Sequence, residues 1–175
     1  MSAQSQPLRI LGIDPGSRYT GWGIIDVAGQ KQQCIDMGRI DARQGEMPQR
    51  LHTIVSGLAA VIAEQRPNEV AIEETFVNRV NAASALVLGQ ARGAAICAVA
   101  QAQLPMAEYA AAQVKLAVCG HGRADKLQVK QMVRVLLNLQ GKLISDAADA
   151  LAVALTHAQV RQTRRRAGQR LRAWG

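Results

Sequence analysis

The chain has 175 residues and a mass of 18.8 kDa, enough for one domain with a self-sufficient core or for a domain and a tail. Apolar residues make up 49%, and no apolar run reads as approaching the roughly 20 residues of a membrane span, so a transmembrane protein is excluded. The first nine residues, MSAQSQPLR, lack the basic-then-apolar order of a secretory signal. Three cysteines (Cys34, Cys97, Cys119) are too few and too scattered for a disulfide framework or a metal-binding pair. These features place the chain in a reducing cytoplasm.

Charge is uneven. Lys and Arg total 21 against 13 Asp and Glu, a net charge of +8 that points to a polyanionic partner, nucleic acid first. Residues 159–175 hold six arginines and no acid, so the remainder of the chain carries only +2. The ends, residues 1–7 and 159–175, read as loose. Residues 8–158 read as the folded domain.

Residues 8–14 (LRILGID) are apolar and β-branched and run into a Pro15-Gly16 turn. Strands at 20–27 and 32–40 follow with tight connections, the pattern of an antiparallel meander. Met47, Leu51, Ile54, Val55, Leu58, Ala59 and Ile62 then recur at helical spacing until Pro67. A fourth strand spans 69–76, a helix 82–103, a short strand 105–109, and helices 111–118, 126–139 and 146–160 close the chain. A helical crossover lays the fourth strand parallel to an earlier one. The expected fold is therefore α/β, with a mixed five-stranded sheet (three antiparallel strands plus two parallel ones) flanked by helices. Gly89 and Gly93, one turn apart in helix 82–103, point to close approach of another backbone, either the sheet or a second subunit.

The strongest chemical signal is a set of acids. Asp14 ends the first strand, Glu73 lies near the end of the fourth, and Asp146 and Asp149 stand three apart at the start of the last helix. Sites form outside the carboxyl ends of strands in open α/β sheets. Four carboxylates gathered there repel one another unless cations intervene, and hard divalent cations, Mg²⁺ above all, suit oxygen ligands. Each acid also has a structural reading: Asp14 as a turn starter, Asp146 as a helix cap with Asp149 in the first turn, Glu73 as strand-edge charge beside Glu74. A second signal is the basic stretch Lys115, Arg123, Lys126, Lys130 and Arg134, partnered by one acid, Asp125, within 115–134. Lys126, Lys130 and Arg134 share a helix face suited to a phosphate backbone. His52, His121 and His157 read as isolated surface or helix residues rather than ligands.

The strings GIDPGSRYTGWG (12–23), AIEETF (71–76), LGQARG (88–93), AAQVK (111–115), GRADK (122–126) and DAADALAVAL (146–155) occur in an order and spacing that resemble the RuvC family of bacterial Holliday-junction resolvases. The resemblance implies an RNase H-like fold and a homodimer that nicks four-way DNA junctions symmetrically with Mg²⁺, in recombination and repair, alongside the RuvA–RuvB branch-migration complex. It implies that Asp14, Glu73, Asp146 and Asp149 are the catalytic acids and metal ligands, with two Mg²⁺ per site and Mn²⁺ as a substitute. It places Lys115 and Lys126 near DNA phosphates and Phe76 against bases at the junction centre; Arg79, Arg123 and Lys130 join them as expected DNA contacts. The rival readings are another RNase H-like nuclease, a nucleotide-binding lobe suggested by GIDPG, and a DNA-junction-binding protein without enzymatic activity.

Overall fold

The computed structural model describes residues 6–74 and 82–172, with side chains through Gly168. Five strands form one sheet in the order β3-β2-β1-β4-β5. β1 (Leu8–Asp14), β2 (Tyr19–Ala28) and β3 (Lys31–Asp41) make the antiparallel meander, and β4 (Glu69–Glu73) and β5 (Met106–Tyr109) add parallel strands beside β1. The expected mixed topology is therefore present. The fourth strand is shorter than expected, ending at Glu73; Phe76 and Arg79 lie outside the described residues.

Alternation along the strands sorts side chains onto two faces. Leu11, Ile13, Ile24, Val70 and Ile72 pack under α1 (Met47–Gln65) and α2 (Ala82–Gln101). Ile10, Ile25 and Ala71 face the other layer, made by α3 (Ala111–Cys119), α4 (Lys126–Leu136) and α5 (Ser145–Arg172). Asp14 lies four residues after Ile10, and Glu73 two after Ala71, so period two sends both carboxylates toward α5.

α1 carries Pro48 in its first turn and ends at Arg66 in a left-handed conformation, with Pro67 beyond. Ile54, Leu58 and Val61 are its buried residues; Ala59, expected on the inner face, is exposed. α2 corrects two expectations. By length and composition it is apolar enough to cross a membrane, contrary to the reading of the apolar runs, yet its alanine-rich face (Ala91, Ala94, Ala95, Ala98) is built into the core with Val99. Nothing among the described residues would touch a β-carbon at Gly89 or Gly93, so the sheet does not approach there. α5 differs most: it continues as helix to Arg172 rather than ending near 160. Arginine is a good helix former, and the end of the apolar stripe marks where the helix leaves the core, not where it stops.

α5 lies almost backbone to backbone on β1 and β2. A β-carbon at Gly12 would stand 2.0 Å from the Ala150 carbonyl oxygen, and one at Gly21 2.0 Å from that of Asp146. Only glycine admits such an approach. Asp14 pairs with Gly21 across the β1–β2 ladder, so the same contact that seats α5 sets its first turn beside Asp14.

Candidate active site

Asp14, Glu73 and Asp149 line one cavity of about 220 Å³, together with Lys115 and Lys126 and an apolar wall that includes Val114, Val129 and Ala152. Strand ends supply the first two acids, the second turn of α5 supplies the third, and α3 and α4 bring the lysines. α4 starts at a fixed point because Asp125 caps it: its carboxylate accepts from the Gln128 amide at 2.8 Å, and the Gln128 side-chain oxygen accepts from the Asp125 amide at 2.9 Å. Lys126 is thereby held at the first position of the helix, where its ammonium lies 3.4 Å from Asp149 Oδ2.

The electrostatics of this cavity are strained. Burial pushes the Asp14 carboxyl up to about 8, assisted by the charges of Glu73, Asp149 and Asp146 and only partly offset by Lys126. Glu73 is raised for the same reasons, burial first and Asp149 second, against Lys126 and Lys115. Asp149 is also raised although Lys126 pairs with it, because its own burial outweighs an ammonium that is mostly in solvent. Lys126 is raised in turn by these acids, Asp149 foremost. Asp14 accepts no hydrogen bond among the described residues, so the turn-starter reading lacks its expected bond.

Asp146 is placed differently from its three companions. The helix begins at Ser145, so Asp146 lies within the first turn rather than capping it. It does not line the cavity; its Oδ2 stands 3.4 Å from Arg39 on β3, whose guanidinium stacks 4.0 Å above the Tyr19 ring. No three His, Cys, Asp or Glu side chains among the described residues stand close enough to enclose one ion. The four acids therefore share a neighbourhood and a field, but not a closed ligand set as the side chains are placed. Asp149 pairs instead with Lys126, and Asp146 with Arg39. The donor chemistry nevertheless fits a hard cation: carboxylate oxygens, one buried and charged only at a cost, with no sulfur or imidazole among them.

The basic residues divide. Lys115 and Lys126 line the cavity, and Lys130 is half-buried on the next turn of α4, close enough to lower Asp149. Arg123 is exposed on the loop before α4 and does not line the cavity. Arg134 turns away from that face and donates to the Gly141 carbonyl. Sequence spacing missed Arg39, which is 107 residues from Asp146, and the seating glycines Gly12 and Gly21, whose only signal is glycine inside strands. It also missed that His157 is tied in: its Nδ1 lies 2.8 Å from the Tyr109 hydroxyl and its Nε2 2.8 Å from Glu69 Oε2.

An RNase H-like sheet with acids at its strand ends, facing a helix with further acids and ringed by lysines, belongs to the class of phosphodiester-cutting nucleases. The match to known proteins narrows this. Residues 10–157 fit the family described as crossover junction endodeoxyribonuclease RuvC, and the chain belongs to that family. Proteins of that name from Magnetococcus marinus and Xanthomonas oryzae are 52% and 57% identical, over 91% and 89% of this chain and 89% and 90% of theirs. The solved structure of Thermus thermophilus RuvC is 35% identical with a TM-score of 0.80, over 89% of this chain and 96% of that one. T. thermophilus RuvC in complex with Holliday junction substrate is 36% identical with a TM-score of 0.79, over 86% and 93%. The yeast mitochondrial resolvase Ydc2 shares the fold at 12% identity, TM-score 0.65.

Proposed function

We propose that this chain resolves four-way DNA junctions by paired, symmetric, Mg²⁺-dependent nicks that leave 5′-phosphate and 3′-hydroxyl ends. The observation that carries the reading is the convergence of Asp14, Glu73 and Asp149 on one lysine-flanked cavity. Residues 8–158 form the nuclease domain. Asp14, Glu73 and Asp149 would hold the metal, with Asp146 beside them once it exchanged Arg39 for the ion. Mg²⁺ held there would supply Lewis-acid chemistry to a phosphodiester hydrolysis.

The protein's own groups do the rest. The apolar wall excludes water and keeps the dielectric low, which strengthens every charge interaction inside. Lys115 and Lys126 take the non-bridging oxygens of the scissile phosphate, and Lys130 and Arg123 take phosphates on either side. Phe76 is assigned to bases at the junction centre and Arg79 to DNA by the family resemblance. Two symmetric cuts need two sites, which a homodimer with two-fold symmetry supplies. The setting is the cytoplasm, with the RuvA–RuvB complex as companion.

Asp149→Asn tests the reading, since it removes a charge without volume. Junction cleavage is expected to fall at least about a thousandfold, because several kcal/mol of charge stabilisation are lost, while junction affinity in Ca²⁺ or chelator is retained. Undiminished cleavage by Asp149→Asn, with Asp14→Asn as the parallel control, would refute the site. A comparison of four-way junction, RNA–DNA hybrid and linear duplex separates a resolvase from a general RNase H-like nuclease.

A further inference from the structure

α5 has a second charged end that the catalytic site does not use. The helix rests on the sheet as far as Ala158, Gln162 donates to the Gly29 carbonyl at the sheet margin, and residues 163–168 are exposed. Among the described residues the only acid lining the cavity beside this turn is Glu69, and it is fully committed. Its two oxygens are bound by Arg161 at 2.8–3.0 Å and by His157 at 2.8 Å, and Tyr109 secures the histidine from the other side. Arg161 is therefore neutralised inside the fold. Arg164 and Arg165, which stand three and four residues on and so continue its stripe, line a shallow cavity over Tyr109 and His157 and have no ion-pair partner among the described residues. Arg166 is exposed one residue further round and is likewise unpaired among them.

We infer that this projecting turn of α5, with Arg164, Arg165 and Arg166, is a second nucleic-acid contact that clamps the phosphate backbone of a duplex arm remote from the cleavage cleft. The occupant follows from charge and geometry. Arg164 and Arg165 flank one cavity and Arg166 stands about 100° further round the helix, so together they present a wide band of unpaired positive charge, and the planar donor fork matches phosphate oxygens. The fifteen residues from Asp149 to Arg164 span about 22 Å at the α-helical rise, roughly two thirds of a turn of B-DNA. One continuous helix can thus touch a duplex at two points. Arg164, Arg165 and Arg166 supply +3 of the net +8, concentrated on one turn of helix. Such contacts fix position and carry no base sequence.

This inference rests on DNA being the substrate, and its test is kept separate from cleavage. In the full-length protein the triple variant Arg164→Gln/Arg165→Gln/Arg166→Gln is compared with the wild type for binding of four-way junction and linear duplex in chelator, over a salt series. The slope of log affinity against log salt is expected to fall by about 2–3, since each lost phosphate contact removes about 0.9, and affinity at low salt to fall roughly tenfold or more on both DNAs. The turnover rate at saturating junction stays within about twofold. The corresponding triple lysine variant retains the slope, and Ala167→Lys raises it by about one. An unchanged slope in the glutamine variant overturns the inference and leaves this face for an acidic protein surface. A slope lost in the lysine variant as well also overturns it, in favour of a packing role. A wild-type chain that binds junctions without cutting them sinks the nuclease reading and leaves this one standing.

Discussion

The two ends of α5 handle half-buried carboxylates in opposite ways. At the amino-terminal end, Asp149 lines a partly apolar cavity with Asp14 and Glu73; burial raises all three, and neighbouring carboxylates add to it, Glu73 and Asp149 at Asp14, Asp149 at Glu73 and Asp146 at Asp149. At the other end Glu69 is held below the usual carboxylate range, by its hydrogen bonds to Arg161 first and His157 second. Both acids of β4, Glu69 and Glu73, point toward the same helix layer only four residues apart, yet one is neutralised by the fold and the other is left charged at a cost. A protein that needed only stability would have treated both alike. The unrelieved end is the one arranged to bind something positive.

Substitutions at each end break or sharpen this contrast. The loss of cleavage in Asp149→Asn is the largest expected effect. Next comes the seat of the helix. Gly21→Val places a β-carbon against the Asp146 carbonyl, so α5 must lift; a loss of about 1–3 kcal/mol in denaturant melts is expected, together with a large loss of cleavage. If Gly21→Val keeps full activity, α5 is not what sets the acid geometry.

Asp14 gives a pH signature. Its folded carboxyl titrates near 8, against about 3.8 for the ordinary group. The native state therefore holds a proton the unfolded chain has released, and its stabilising share is complete below about 4 and lost as pH rises toward 8. In chelator, the melting temperature should fall between pH 5 and pH 8.5, and Asp14→Asn should flatten that fall, gaining at least about 1 kcal/mol, or roughly 2–4 °C, at the upper end. Mg²⁺ should flatten it in the wild type. Equal slopes for wild type and variant in chelator would show that Asp14 is not strained.

The smallest effect belongs to the relieved end. Glu69→Gln removes a partly exposed charge pair and should cost about 1 kcal/mol at pH 7, with cleavage retained. Because the folded pKa of Glu69 is depressed, its contribution is present above the ordinary carboxylate range and lost as pH falls through the folded value, so wild type and variant should converge in acid melts. A cleavage defect comparable to that of Asp149→Asn would erase the distinction between the two ends.

Much of this arrangement is legible in the chain. Strand alternation and helical periodicity locate the sheet and its layers, and period two alone sends Asp14 and Glu73 to one side. Lys126 at a helix start follows from the Asp125–Gln128 capping pair. Other features have no local signal. Asp146 pairs with Arg39, 107 residues away in the chain, and its spacing from Asp149 cannot reveal that. His157 reads as isolated because Tyr109 and Glu69 are 48 and 88 residues distant. The length of α5 is obscured because apolar periodicity reports burial, while arginine-rich helix in solvent has none.

The seating of α5 on Gly12 and Gly21 has a further consequence. Where most helices ride on a deformable cushion of side chains, this one sits on bare main chain, with two hydrogen atoms as the spacer. The gap between the helix acids and the strand acids cannot be tuned by exchanging a leucine for a valine underneath. It behaves like a gauge block, so adjustment of the site falls to side-chain rotation of the acids and of the lysines opposite.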